Sequence, residues 1–183
     1  SGGAVLNKDN KIVGIAMMKL NKSDNISYIV PSIVINTFLN DIKDGKVDGF
    51  GSTRTVIQDI ENESMKEYFG LKDDFGVLIT GVDIDDIELK IDDIIVSING
   101  KKISNDGLID SKYGKVNFNY ELDNKQIGEI INLEIIRNKK KINVDYKIKY
   151  SKPLIPYEFD TELEYFVFGG LIFTPLTSNY LIN

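Results

Sequence analysis

Short apolar runs alternate with polar turns at the start of the chain. The segments "AVLN" and "IVGIAMMKL" flank the turn "KDNK", where Asp9 and Asn10 suit a tight turn because their side chains bond nearby backbone. This pattern predicts a β-hairpin. The polar loop "NKSDN" and a third strand, "ISYIV", follow it.

A helix is predicted next. Pro31 and Ser32 mark its start, and Gly45 fits its stop position. The apolar residues between them recur at helical spacing on one face, at Ile35, Phe38, Leu39 and Ile42. The polar, glycine-rich stretch "KDGKVDGFGS" comes after Gly45, and we place the main domain boundary there.

The sequence after this boundary predicts a small mixed β domain. Strands are expected at "TRTVIQDI" and "GVLITGV", around Asn99-Gly100 in "DDIIVSINGKKIS", and as two alternating strands in "IINLEIIRNKKKINVDYKIKY". Short helices are expected at "NESMKEYFG", closed by Gly70, and at "VNFNYELDNKQ". The segment "YFVFGGLIFTPL" predicts a buried strand or strand pair. The predicted fold class is mainly β with short helices (α+β).

Composition narrows the possible functions. The 183 residues are 42% hydrophobic and 27% charged with a net charge of −6, which is typical of a globular protein and unfavourable for nucleic-acid binding. No apolar run approaches the roughly twenty residues of a membrane span. Cysteine and histidine are absent, so the chain alone offers no thiolate or imidazole nucleophile, base or metal ligand.

No cofactor or metal motif is present. The acidic run "DIDDIELKIDD" fails the spacing of a calcium loop, because Ile87 stands where a ligand is required. A solvated turn is the preferred interpretation of this run. The basic run "RNKKKIN" is interpreted as a solvated hairpin tip.

The opening "SGG" has two interpretations, a cloning scar or the nucleophile region of a serine protease. The longer stretch "SGGAVLNKDNKIVGI" resembles the nucleophile segment of chymotrypsin-like proteases of the Deg/HtrA family. "SYIVPSIVINTFL" is similar to that family's last protease strand and the helix leading to its PDZ domain. Ala4 departs from the family, which often has proline there. That departure affects local stiffness rather than chemistry.

The resemblance continues along the chain. "FGLKDDFGVLITGV" and "LKIDDIIVSINGKKIS" are similar to a PDZ domain, and "YFVFGGLIFTPLTSNYL" is similar to the start of a second PDZ domain in plant-type Deg proteases. The resemblance implies that the chain is a fragment with three parts. Residues 1–45 would be the C-terminal edge of a chymotrypsin-like β-barrel, 46–152 a first PDZ domain, and 153–183 a linker and the start of a second.

The resemblance implies an ATP-independent serine endopeptidase for protein quality control, acting on unfolded or damaged proteins. Ser1 would be the nucleophile, with the catalytic His and Asp upstream, so the fragment alone would be inactive. The strand that contains Ile15, Ala16 and Met17 would pair with substrate beside the primary pocket, and Ile29 would line its wall. The alternative for these residues is core packing of a barrel, which we favour for Ile15.

The PDZ-like part has its own implied site. Phe50, Gly51, Ser52 and Thr53 would form the loop whose amides hold the carboxylate of a C-terminal peptide. The alternative is an interdomain turn before an ordinary edge strand. For the chain as a whole, the alternative function is a non-catalytic PDZ module for peptide binding or oligomerisation, and a homo-oligomer is expected for the full-length protein.

Overall fold

The computed structural model describes residues 2–19, 26–71, 74–150, 155–158, 162 and 164–182. Internal contacts divide the chain into two compact units, Ser1–Tyr150 and Ser151–Asn183. Each unit is described by itself below. No helix in the described part of the chain is long and apolar enough to cross a membrane.

The first unit begins with an antiparallel sheet in the order β1-β2-β3, formed by Ala4–Leu6, Ile12–Lys19 and Ser27–Pro31. The predicted hairpin and third strand are thereby confirmed. Asn7 closes the first turn, because its Oδ1 accepts the N–H groups of Asp9 and Lys11, both at 2.9 Å. The predicted loop "NKSDN" lies outside the described residues.

Helix α1 follows directly as Ser32–Asp41. A single 3₁₀ turn, Ile42–Asp44, extends it, and Gly45 ends it in the left-handed conformation at φ 84°. This is the stop that the sequence predicts. The helix packs against β2 and β3, so residues 2–19 and 26–45 form a sheet with one covering helix.

Residues 46–150 form a second β-rich layer. Its elements in chain order are β4 (Gly51–Ser52), β5 (Thr55–Asp59), α2 (Glu63–Phe69), β6 (Val77–Val82), β7 (Ile94–Ile98), β8 (Lys101–Lys102), β9 (Leu108–Ser111), β10 (Gly114–Asn117), α3 (Tyr120–Asp123), β11 (Ile130–Arg137), β12 (Lys140–Lys147) and β13 (Lys149–Tyr150). The main sheet runs β12-β11-β7-β6-β5, with β8 paired to β7. Strand β5 therefore lies at the edge of this sheet.

Both faces of the main sheet are covered by apolar side chains. One face packs with α3 and the β9-β10 hairpin through fully buried residues such as Val77, Ile95 and Phe118. The other packs with α2 through Ile60, Leu78 and others. Because neighbouring strand residues point to opposite faces, strands buried on both faces become the continuous apolar runs of the sequence. The observed fold is the β-rich α+β class that the sequence predicts.

One predicted helix is largely wrong. The segment "VNFNYELDNKQ" contains the end of β10 and only one helical turn, α3. Phe118 and Leu122 are both buried at helical spacing, 1% and 5% exposed, and they account for the helical signal. Gly114, at φ 99°, turns the chain back into a hairpin before them.

The second unit contains β14 (Phe166–Phe168), β15 (Leu171–Phe173) and α4 (Ser178–Ile182). Strands β14 and β15 form a hairpin, which confirms the predicted strand pair. The predicted burial is wrong, since these six residues are 53% to 71% exposed. Two paired strands have two open faces and cannot bury apolar side chains on both.

Candidate functional site

The chain immediately after the predicted nucleophile runs along β2. Ser1 itself lies outside the described residues. The N–H of Gly2 donates to the carbonyl of Ala16 at 2.7 Å, and the N–H of Ala16 donates to the carbonyl of Gly3 at 2.8 Å. These two bonds extend the pairing of β1 and β2, so the Gly2–Gly3 backbone is held beside Ala16.

Three of the four predicted substrate-binding residues meet at one cavity. Ala16, Met17 and Ile29 line a space of about 410 Å³. The other lining residues are mainly apolar and come from the same three strands: Val5, Met18, Lys19, Ser27 and Tyr28. We call this space the β2-β3 cavity. Its walls can hold an apolar side chain, and Ala16 in its lining is hydrogen-bonded to Gly2.

Ile15 lies on the other face of this sheet. Ala16 pairs with Ile29, whereas Ile15 pairs with Val30, and adjacent strand residues point to opposite faces. Ile15 and Ile29 are 37% and 39% exposed. Within the described residues the two side chains are therefore partly exposed on opposite faces of the sheet, and packing in the core of a complete barrel stays the alternative prediction for both.

Met17 stands at an irregularity of β2. The pairing register with β3 shifts between Ala16 and Met18, so Met17 is the extra residue of a bulge. A bulge turns a side chain away from the regular alternation, and Met17 is 52% exposed. A flexible thioether at this place gives the cavity a wall that adapts to different side chains.

The four predicted peptide-binding residues come together at β4. Gly51 and Ser52 pair with Tyr150 and Lys149 of β13. Phe50 is 44% exposed, whereas Thr53 is only 4% exposed. The segment thus has an outward aromatic side chain at one end and a buried threonine at the other.

The backbone at Gly51 lies close against two neighbouring side chains. A Cβ atom on Gly51 would overlap Cγ2 of Ile148 and would lie 3.6 Å from Cγ1 of Ile127. Its φ angle is not in the left-handed region, so crowding, and not backbone strain, requires glycine here. The contact fixes how closely β4 lies to β13.

A buried polar network anchors the end of this segment. The Tyr146 hydroxyl oxygen, on a side chain with 0% exposure, lies 2.8 Å from both the carbonyl oxygen of Thr53 and Oδ2 of Asp86, and its one proton is shared between these two acceptors. Lys149 Nζ lies 3.1 Å from Asp86 and from Glu88. Burial, with the neighbouring Asp86 carboxylate, raises the pKa of Tyr146.

The charge of Asp86 is stabilised within this network. Burial opposes its ionisation, but the Leu89 N–H, the Tyr146 hydroxyl and the Lys149 ammonium together hold the pKa of Asp86 below its ordinary value. Asp86 is not among the residues predicted from the sequence, because the run "DIDDIELKIDD" has the pattern of a solvated turn. A signal that could have found it is the apolar flank of the run, at Leu89, which is fully buried.

Asp93 is a second buried acid that the sequence interpretation missed. It is 1% exposed and accepts from Nε and Nη2 of Arg137 at 2.7 and 2.6 Å. Arg137 Nη2 also donates to the carbonyl of Glu88 at 2.7 Å. The hydrogen bonds to Asp93 raise the pKa of Arg137. This fork-shaped ion pair fixes the loop of residues 83–93 on β11.

Among the described residues, the acidic side chains form no cluster that could hold a metal ion.

Comparison with known families places PDZ-domain sequence at the end of the chain. The family described as PDZ domain matches residues 155–183, which include the β14-β15 hairpin.

Relatives match over almost the whole chain. Protease Do-like 4, mitochondrial, from Arabidopsis thaliana is 31% identical over 99% of this chain and 36% of its own length. Protease Do-like 2, chloroplastic, from the same plant is 29% identical over 97% of this chain and 30% of its own length. The chain therefore spans about a third of the length of these relatives.

A solved structure has the same fold. The HtrA-type protease AlgW with decapeptide matches 84% of this chain and 46% of its own chain, with a TM-score of 0.56 and 20% identity. That identity supports a shared fold alone. The relatives, which match almost the whole chain, show that the chain is homologous to Deg/HtrA-like, Do-like proteases.

Proposed function

We propose that the chain is part of an ATP-independent serine endopeptidase that degrades unfolded or damaged proteins, with Ser1 as its nucleophile. The observation that carries this proposal is the hydrogen bonding of Gly2 and Gly3 to Ala16, a residue that lines the β2-β3 cavity. Gly2 follows Ser1 in the chain. A nucleophile and a substrate side-chain cavity are therefore expected side by side.

The chemistry needs groups from outside this sequence. A serine hydroxyl attacks a peptide carbonyl when a base takes its proton and backbone N–H groups stabilise the oxyanion. The 183 residues contain no histidine. In the proposed enzyme an imidazole accepts the Ser1 proton and passes it to the leaving amine, while a carboxylate that stays ionised orients the imidazole; both groups come from outside these residues.

The lining of the β2-β3 cavity suggests the substrate side chain. Ala16, Met17, Tyr28 and Ile29 present mainly apolar surface, and a basic side chain would lose its hydration there without gaining a partner. Lys19 also lines the cavity. We infer that the residue whose carbonyl is attacked has an apolar side chain.

A cleavage assay on a longer protein that includes this chain tests the proposal. Ser1→Ala should abolish turnover of an unfolded protein, and Ile29→Asp should move preference from apolar to basic residues at the cleaved bond. Ile29→Val is the matched control and should keep the apolar preference. Full activity of Ser1→Ala would refute the nucleophile assignment. An unchanged preference in Ile29→Asp would refute only the pocket assignment.

We also infer peptide binding in the PDZ-like part, which is the main function if the chain is a non-catalytic module. Strand β5 pairs with β6 and forms the edge of its sheet, where an extended peptide can add a strand. Phe50, Gly51, Ser52 and Thr53 lead directly into β5, and Val56 is 65% exposed. Two solved structures of similar fold are of the HtrA-type protease AlgW with decapeptide and with tripeptide.

Titration with peptides separates this role from the catalytic one. A peptide with a free C-terminal carboxylate should bind the 183-residue chain, and the same peptide with an amidated C-terminus should bind less tightly. Phe50→Ala should weaken binding, whereas Tyr68→Ala, at an exposed position on α2, should not. Equal binding of both peptides would refute carboxylate recognition at residues 50–53.

Sedimentation of the full-length protein tests the proposed homo-oligomer.

A further inference from the structure

A second cavity, of about 380 Å³, lies within the first unit where the first sheet and α1 meet the β9-β10 hairpin and α3. Its lining is mainly apolar and aromatic with one carboxyl group: Val13, Pro31, Ser32, Ile33, Tyr113, Val116, Tyr120 and Asp123. We call it the α1-α3 cavity. None of these residues belongs to the sites described above.

The carboxyl group of Asp123 lacks a partner in the described part of the chain. Thr37 Oγ1 donates to the backbone carbonyl of Asp123, but no described residue donates to its carboxyl oxygens or pairs with them. Burial alone raises the pKa of this carboxyl. A half-buried carboxylate without a cation favours a positively charged ligand.

Two aromatic rings accompany this carboxyl. Tyr120 and Asp123 are three residues apart in α3 and so lie on the same side of the helical turn. Tyr113 is 69% exposed, at the tip of the hairpin. Lys112 Nζ lies 4.9 Å from the centre of the Tyr113 ring but makes no ion pair with Asp123. The faces of such rings attract cations.

We propose that the α1-α3 cavity binds an arginine side chain of a partner polypeptide. The guanidinium group would pair with the Asp123 carboxylate and stack on Tyr120 or Tyr113, while the three methylene groups would contact Val13, Ile33 and Val116. Arginine suits this combination better than lysine, because its planar group stacks on rings and is more weakly hydrated.

A second copy of this chain does not fit as the partner. The sequence contains two arginines, Arg54 and Arg137. They pair with Asp83 and Asp93 within the same chain. Docking either of them in another copy would break its own pair, so the arginine that occupies the cavity comes from outside these 183 residues.

The test is an NMR titration of the ¹⁵N-labelled 183-residue chain at neutral pH with N-acetyl-arginine amide. Its matched control is N-acetyl-citrulline amide, which has nearly the same shape without the charge. The arginine probe should shift the amides of residues that line the α1-α3 cavity, with a Kd of about 1 mM, as expected for one side chain. The citrulline probe should bind about tenfold more weakly.

Variants locate the site. Asp123→Asn should weaken the arginine probe about tenfold. Asp110→Asn changes the same charge on β9, where Asp110 lines a different cavity, and should leave the affinity unchanged. Tyr113→Ala, at an exposed tip where folding is not at stake, should weaken binding about threefold.

Three results would overturn the proposal. Equal affinity for the arginine and citrulline probes would show that charge plays no part. Unchanged affinity in both Asp123→Asn and Tyr113→Ala would place the binding elsewhere. Tighter binding of N-acetyl-lysine amide than of the arginine probe would rule out recognition of the guanidinium group.

Discussion

Thr37 and Asp123 are 86 positions apart in the sequence and are joined by a hydrogen bond of 2.5 Å from Thr37 Oγ1 to the Asp123 carbonyl. The carbonyl of Thr37 in turn accepts from Nε2 of Gln126 at 3.1 Å. Thr37 is 4% exposed. These two bonds attach α1, which follows the first sheet, to the end of α3 and to the segment that follows it in the second β-rich layer.

Replacing Thr37 by Val should destabilise the first unit. The change keeps the shape of the side chain but removes the hydroxyl, and it leaves the Asp123 carbonyl without its donor. A buried acceptor left without a partner costs about 1–3 kcal/mol. Urea unfolding followed by circular dichroism measures this loss. Thr37→Ser keeps the hydroxyl and should lose less, and a Val variant as stable as the wild type would show that the bond adds nothing.

The elements of the fold were predictable where local pattern determines them. The turn at Asp9-Asn10, the stop of α1 at Gly45 and the hairpin at Asn99-Gly100 all depend on residues that tolerate tight backbone. The β9-β10 hairpin was missed, because its strands are short and the buried residues that follow it, Phe118 and Leu122, have the spacing of a helical face. Local pattern carries no information about which distant element covers an apolar residue.

The candidate sites were predictable only in part. Ala16, Met17 and Ile29 were predicted to bind substrate because of the resemblance to Deg/HtrA proteases, and these three residues line one cavity. Asp86 and Tyr146 were missed, because 60 residues separate them and neither belongs to a motif. An acidic run gives the same sequence pattern whether its members are solvated or buried, and only the tertiary contacts of Asp86 distinguish the two.

Gly51→Ala should destabilise the chain through crowding. The added methyl group would overlap Cγ2 of Ile148, which is 1% exposed and has little room to move. Overpacking of this kind costs about 1–3 kcal/mol. Chemical unfolding of the single variants Gly51→Ala and Ile148→Ala, and of the double variant, measures the coupling. If crowding is the cause, the Gly51 change costs less in the Ile148→Ala background, and an equal cost in both would contradict it.

Asp86→Asn should lose stability in a manner that depends on pH. The folded state holds the pKa of Asp86 below its ordinary value of 3.8, so the ionised form favours folding. This stabilisation is fully present above 3.8 and is lost as the pH falls through the lower folded pKa. The difference between wild type and variant should therefore be largest at neutral pH and shrink in acid.

Urea unfolding at neutral pH and at several values below 3.8 checks this behaviour. Asp110→Asn, at an exposed position on β9, is the control for a general loss of one negative charge. A difference between wild type and Asp86→Asn that stays constant over the whole range would show that the charge of Asp86 does not stabilise the fold.

The isolated 183-residue chain should not cleave proteins, although it carries the proposed nucleophile. Without a base to remove its proton, a serine hydroxyl reacts poorly with a peptide bond, and loss of the triad histidine alone costs about 10⁶-fold in rate. This chain contains no histidine. Fluorescently labelled casein should remain intact with the wild-type chain and with Ser1→Ala alike. Casein turnover by the isolated chain that disappears in Ser1→Ala would mean that Ser1 is activated by a group within these residues, and an imidazole from elsewhere would not be needed.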